Sequence, residues 1–534
     1  MFYNPLGFFV LNEKPIKNNI SKMKKRRIKV LKSVYLTFLT TLILGCSSNV
    51  DEVMENDETT KLENNVQARI NSNISRFYKA PENFEIINNI QFNNNKNDDS
   101  VELQTAIDNM SDDLGVNDYG KIIIPKGEYY LADIIMKSNI TIEVEEETII
   151  HAGISFKNNQ VIFGFGDKTG GIENSALIGT GSGFVIDLRK NKKNRNMIVC
   201  AVRDVENFMI SNFIIEDKIS VFASILVDIT DVNGPNWPKN GVIQKIDQKL
   251  AHRGYGLIQA YAANKVLFKD LSCDGGVTLR IETDNRLMKE LNKGKNVPNI
   301  GGVRNVFAEN ISNRNGLAAL MLSPHFMKNG RVVADNISSV NSSFTVRVER
   351  GFVEIFAENN TITGDDHKAA IDSIYGSGSV AAVYKRGGGI FVARLKPEFA
   401  NAAFNEVGFK AGTFSSNTTI TNVSTTYGNT GHMNFNHRLY MPCEERNTVY
   451  CRYKIGKDAI FHGPTLAAVF NNNIEGSGPE TTGSFRINID VDESVLKSFP
   501  PGIPKTVIID NNTAEIRGRR DCKVEFKDCP IPTF

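Results

Sequence analysis

The strongest constraint on this chain is a loose unit that keeps returning: a short β-branched strand, an Asn or Asp, then a second short strand. It is seen at 205–215, 264–272, 306–312, 332–338 and 418–423. Asn310 and Asn336 hold equivalent places in successive copies, 26 residues apart. That interval is one coil of a solenoid, whose units cannot bury an apolar face alone but can against their neighbours. No helical periodicity of useful length competes with it. Asn suits the bends because it tolerates left-handed backbone and bonds its own chain, and stacked amides can ladder from coil to coil. The expected class is all-β: one single-stranded right-handed parallel β-helix.

The first coil has its own signature. A helix-like stretch, Val101–Ile107, precedes Gly120–Ile124, the turn Pro125-Lys126-Gly127 and Glu128–Leu131. This resembles the entry coil of pectin-lyase-like β-helices, with an N-terminal capping helix over the exposed edge of the first coil. The 534 residues are long for one domain but ordinary for stacked coils. The expected organisation is a lipoprotein signal peptide over 1–46, a flexible tether over 47–95, a catalytic β-helix over 96–430 with excursions at about 217–253 and 345–410, and C-terminal coils with a disulfide-bearing cap over 431–534.

The signal rests on basic Lys22–Arg27, the apolar run Val34–Leu44 and the ending Gly45-Cys46, which resembles the lipobox at which bacterial lipoproteins are cleaved and lipidated. Lipidation is expected at Cys46 and translation from Met23. The product is then an outer-membrane or cell-surface lipoprotein, otherwise a secreted protein, touching membrane only through its anchor. An exported chain favours disulfides, and Cys443–Cys451 and Cys522–Cys529 are the expected pairs. Cys200 and Cys273 lie in apolar strand patterns and are expected to be reduced core residues. With 62 Lys and Arg against 60 Asp and Glu, the net charge of +2 offers no global field for nucleic acid. An anionic partner must meet a local basic patch.

Chemistry concentrates in Thr278-Leu279-Arg280-Ile281-Glu282-Thr283-Asp284. Strand alternation sends Leu279 and Ile281 one way and Arg280, Glu282 and Asp284 the other, onto one solvent-facing stripe. Side chains two positions apart on a strand are separated by roughly 6.6–6.8 Å, inside the roughly 6.5–9.5 Å window of inverting glycosidases. Crowding of like charge is expected to raise one carboxyl pKa and supply a general acid beside an ionised base. In the preceding repeat, Tyr255, Leu257, Gln259 and Tyr261 fall on one face by the same alternation, as a sugar subsite needs.

Through Gly256–Ala260, Thr278–Asp284 and Leu320–His325, the sequence resembles the iota-carrageenases, endo-acting inverting glycoside hydrolases on a right-handed parallel β-helix. The resemblance implies Glu282 as proton donor, Asp284 as the base activating water, Gln259 as a holder of that water, and His325 as a helper that binds substrate or tunes the acids. It also implies a sulfated galactan, iota-carrageenan, as substrate. Sulfates favour arginine forks, and Arg253, Arg280, Arg304, Arg331, Arg347 and Arg350 lie in or beside the flanking repeats, Arg280 foremost. No cofactor is needed for the chemistry. Calcium, sodium or chloride are the ions expected at structural sites, with no metal ligands assigned, and the protein is expected to be a monomer.

Two other enzyme readings share the fold. Gly364-Asp365-Asp366-His367 is similar to the Asp-Asp element of polygalacturonases, and Gly431-His432-Met433 is a partial echo of another element of that family. A polysaccharide lyase would need a uronic acid and a basic residue. A surface glycan-binding solenoid without catalysis is the alternative outside enzymes.

Overall fold

The computed structural model describes residues 74–509 except 93–97, 154–159, 169, 190–196, 218–219, 252–253, 296–297, 386–388, 400–409, 442–445, 447–448, 450, 456–457, 474–482, 495–498 and 500–506. Cys46, Cys443, Cys522, Cys529 and Arg253 lie outside the described residues, as does the side chain of Cys451.

Within them the repeats stack as a parallel β-helix. Each coil supplies one strand to a long sheet and one to a sheet of short strands. The long sheet runs through Gly120–Ile124, Ile140–Val144, Ile172–Gly179, Val205–Glu216, Lys239–Ala251, Ala262–Gly275, Val306–Arg314, Val332–Val340 and Thr419–Thr426, each parallel to the next. Its later strands turn a corner at one left-handed residue. Asn212, Lys245, Asp270, Asn310, Asn336 and Asn422 occupy that corner in register, with φ from 52° to 67°. Asn and Asp tolerate such backbone best. The amides also ladder: Asn336 donates to Asn310 at 2.7 Å and Asn310 to Asp270 at 2.6 Å.

The short sheet contains β1 (Ile134–Ile135), β2 (Val161–Phe165), β3 (Ile198–Val202), β4 (Ile225–Val227), β5 (Ile258–Ala260), β6 (Val277–Glu282), β7 (Ala318–Ser323), β8 (Val346–Val348), β9 (Val469–Asn471) and β10 (Val507–Ile509), stacked in that order. Ile258, Leu279, Leu320, Val346 and Val469 form one inward row, buried in the common core. Cys200 and Cys273 are buried free thiols of the same core.

Helix α1 (Ser100–Asp113) packs Leu103, Ile107 and Met110 into the first coils. The outer face of the long sheet carries an apolar row, Ala176, Met209, Val242, Leu267 and Phe307. Phe77 and Tyr78, ahead of a strand at Ile86–Asn89 that pairs with Gly120–Ile124, pack on it, with Phe77 edge-on to Phe307 at 5.1 Å. The segment 217–253 contributes β4 and a long-sheet strand, leaving 228–238 as the longest described stretch outside the sheets. The segment 349–418 holds a small antiparallel sheet, Glu354–Phe356, Val380–Lys385 and Phe391–Leu395, and helix α3 (Gly364–Tyr375). A second antiparallel sheet, built from Gly431–Met433, Cys451–Ile455 and Asp458–Gly463, precedes β9.

Candidate active site

Loops leaving the C-terminal ends of β4 to β8 frame one site. Register places Leu226, Gln259, Arg280, Met321, Arg347 and Phe470 in a single outward row across β4 to β9. Leu279 and Ile281 point to the core, as alternation requires. The expected charged stripe differs in two respects. β6 ends at Glu282, and Asp284 donates its N–H to the Glu282 carbonyl at 3.1 Å, so the chain bends at Thr283 before the base is reached. The stripe is also covered, not solvent-facing: Arg280 is 3 % exposed and Asp284 9 %.

Each acid has a cation. Arg280 donates through Nε and Nη2 to Glu282 Oε2 at 2.8 and 2.7 Å, and through Nη1 to the Gly254 carbonyl. Lys289 lies 2.9 Å from Asp284 Oδ1 and 3.1 Å from Oδ2. His325, itself left-handed at φ 49°, stands between the acids: Nδ1 is 2.7 Å from Asp284 Oδ2 and Nε2 3.0 Å from Glu282 Oε1. Burial opposes charge on this imidazole, but Asp284 and Glu282 outweigh it and raise its pKa to about 9. The ring is therefore protonated at neutral pH and donates from both nitrogens. Burial likewise opposes the Glu282 carboxylate, yet Arg280 and His325 hold its pKa down to about 2. At Glu282 the effect is thus opposite to that expected from like-charge crowding, because Arg280 and His325 outweigh Asp284, and the available proton sits on His325.

Gln259 is fully buried, donates to the Glu282 carbonyl at 3.1 Å, and keeps a side-chain oxygen without a partner among the described residues. Its coil departs from the expected single face. Leu257 enters the core, whereas Tyr255 and Tyr261 pack outside it with Phe222, Met288 and Phe326. The cause is a corner before β5. Gly256 lies against the next coil, where a Cβ would fall 2.1 Å from the Val277 carbonyl oxygen. Tyr255 supports Arg280, whose guanidinium lies 4.7 Å from its ring centre. Tyr261 is buried and helps form the wall.

Among the other arginines, Arg347 lies two strands from Arg280 in the outward row and pairs with Glu349. Arg304 reaches the Trp237 ring at 5.4 Å and the Asn299 carbonyl at 2.7 Å. Arg350 follows Glu349. Arg331 belongs elsewhere, over Phe307 on the long sheet.

Several residues here escaped the sequence reading. Glu354 takes a contact from Lys289 at 3.2 Å, one from Tyr384 and one from Arg394 at 3.6 Å. Phe352 stacks obliquely on His325 at 4.4 Å, and the Arg394 guanidinium lies 3.5 Å from the centre of the Phe352 ring. Glu349 accepts from Ser323 at 3.0 Å; burial works against its charge, but Arg347 keeps its pKa low. A signal for Glu349 was present: Leu279-Arg280-Ile281-Glu282 and Val346-Arg347-Val348-Glu349 repeat the same apolar-Arg-apolar-Glu pattern.

The Asp365-Asp366 reading loses its footing. Both residues lie in the first turn of α3, where the helix dipole favours carboxylates. Thr363 caps Asp366 N at 3.1 Å, and His367 bonds the Ile355 carbonyl at 2.9 Å. His432 instead accepts from Gly276 N at 3.2 Å, at a corner of the coil. Among the described residues, no group of three His, Cys, Asp or Glu side chains is arranged to hold a metal.

The chain matches no protein-family model. It is 41% identical over 487 residues to the iota-carrageenase of Zobellia galactanivorans, covering 88% of this chain and 94% of that protein. It is 36% identical over 460 residues to the iota-carrageenase of Alteromonas macleodii, covering 83% and 89%. A solved iota-carrageenase complexed with iota-carrageenan fragments superposes with a TM-score of 0.71 at 35% identity, covering 82% of this chain and 94% of that one.

Proposed function

The chain belongs to the iota-carrageenase family of glycoside hydrolases, and on that footing we propose that it cleaves internal β-1,4 linkages of iota-carrageenan by inversion, with Glu282 as proton donor and Asp284 as base. The observation that carries the mechanism is His325 wedged between the two carboxylates. One imidazole and two hydrogen bonds keep the acids apart, on the scale of about 6.5–9.5 Å that leaves room for a water and a sugar carbon in inversion. Direct attack by a carboxylate needs the closer spacing of roughly 5–5.5 Å.

His325 also supplies what inversion consumes. Glu282 gives a proton to the departing glycosidic oxygen while Asp284 takes one from the attacking water. Each turnover thus leaves the acid stripped and the base protonated. Through Nε2, His325 passes its proton to Glu282; through Nδ1 it recovers one from Asp284. The free side-chain oxygen of Gln259 is suited to accept from the attacking water. Arg347 and Arg304, the latter over Trp237, are the arginines left to meet a sulfated chain, while Arg280 is covered and holds Glu282.

Export, lipidation of Cys46, the two C-terminal disulfides, a monomeric state and structural calcium, sodium or chloride belong to the same proposal. Export and lipidation are supported by the N-terminal signal, and the disulfides by the cysteine spacing. Metabolic labelling with a fatty acid, lost on Cys46→Ser, tests the anchor.

A reducing-end assay on iota-, kappa- and lambda-carrageenan and polygalacturonate, with ultraviolet absorbance and product NMR in parallel, tests the reaction. New reducing ends from iota-carrageenan alone, first appearing as the α-anomer without an absorbance rise, are expected. An initial β-anomer would remove inversion. Activity on polygalacturonate alone would remove the substrate.

A further inference from the structure

Lys289 sits at a junction that the chemistry above does not use. It lies on α2 (Arg286–Asn292), a short helix on the loop after β6. Asn285 fixes the start of that helix, accepting from Met288 N at 2.8 Å while donating to buried Asp228. The ammonium then reaches two carboxylates from different parts of the chain: both oxygens of Asp284, at 2.9 and 3.1 Å, and Glu354 Oε2 at 3.2 Å. The three side chains are 12 %, 3 % and 2 % exposed, so solvent screens the contacts little. Phe326 and Phe356 close the sides, with ring centres 5.7 and 5.0 Å from Nζ. The ammonium donates to Asp284 Oδ2 and Glu354 Oε2, with Asp284 Oδ1 at ion-pair distance.

Resting on the function proposed above, we propose that Lys289 is a positioning residue that ties the catalytic base to the 354–395 insert by sharing one ammonium between Asp284 and Glu354. Glu354 belongs to the first strand of the insert and is held there by Tyr384 and Arg394. Glu354 is therefore a second anion for the ammonium that also holds Asp284. The groups facing Asp284 are His325, Lys289 and, across the imidazole, Glu282. Those facing Glu354 are Lys289, Tyr384 and Arg394. Removing Lys289 leaves His325 beside Asp284 and Arg394 beside Glu354. The base is then less firmly ionised and freer to rotate.

The experiment compares the full-length wild type with Lys289→Met, Lys289→Arg and Glu354→Gln on iota-carrageenan, measuring kcat, KM and the pH profile, with thermal melting as a check. For Lys289→Met, kcat is expected to fall about 10- to 100-fold with KM within about two-fold. The acid limb of kcat should move to higher pH, because a positive neighbour of the base is gone. Lys289→Arg keeps the charge and should recover at least about ten-fold of the lost kcat. Glu354→Gln should shift the acid limb the opposite way. Unchanged kcat in Lys289→Met overturns the proposal. A loss confined to KM also overturns it, as that marks a sulfate contact. Equal losses in Met and Arg with an unmoved pH profile reduce Lys289 to packing and likewise overturn it. If wild type fails on iota-carrageenan, it is the parent reading that falls.

Discussion

The two outward faces of the solenoid are made by the same stacking and used in different ways. On the long sheet, the row from Ala176 to Phe307 is apolar and covered by Phe77 and Tyr78 of the chain's own N-terminal segment. On the short sheet, the row from Gln259 to Arg347 carries polar Gln259 and charged Arg280 and Arg347 with Met321 between them, and its loops build walls around it. A coil repeat dictates that residues line up. It does not dictate which residues, so the fold can dedicate one row to stability and another to chemistry.

The sharpest way to break this contrast is on the short sheet. Glu282→Gln and Asp284→Asn should each lower kcat by about 10²–10⁴-fold in a chain that still folds, with some loss of melting temperature because each leaves a buried cation, Arg280 or Lys289, without its carboxylate. Retained turnover in either removes that residue from the mechanism. On the long sheet the reverse is expected: Phe77→Ala should cost about 3 kcal/mol in denaturant unfolding with kcat on iota-carrageenan unchanged. A kcat change there would show that the two faces are coupled.

pH sharpens the comparison further. His325 has a folded pKa raised from 6.5 to about 9, so its contribution to stability is complete below about pH 6.5 and is lost as pH rises through about 9. The difference in unfolding free energy between wild type and His325→Gln should therefore shrink across that window. A difference that is flat with pH would mean that the imidazole is not charged between the acids. The smallest effect belongs to the ladder: Asn336→Ala should cost about 1 kcal/mol for the lost amide bond, seen as a lower denaturant midpoint with activity intact.

The sequence made legible what is local and periodic. Asn310 and Asn336 declare the coil because a left-handed corner recurs once per turn, and Leu279 and Ile281 declare the inward face because alternation is a property of one strand. Tyr255, Leu257, Gln259 and Tyr261 misled because alternation was carried across the corner at Gly256, where the backbone changes direction. The depressed pKa of Glu282 was illegible for a different reason. It depends on His325, 43 residues away, as well as on Arg280 nearby. Glu354, 65 residues from Lys289, could not be paired with it by any pattern of spacing.

The twin Arg-x-Glu segments have a metrical consequence. Strands of a parallel sheet are spaced by about 4.8 Å, so Arg280 and Arg347, two strands apart, mark an interval of about 9.5 Å along the wall. The solenoid acts as a ruler with two like graduations cut into it. Each graduation is an arginine locked to its own glutamate, Arg280 to Glu282 and Arg347 to Glu349, so what recurs along the wall at that interval is a neutralised pair and not a free positive charge.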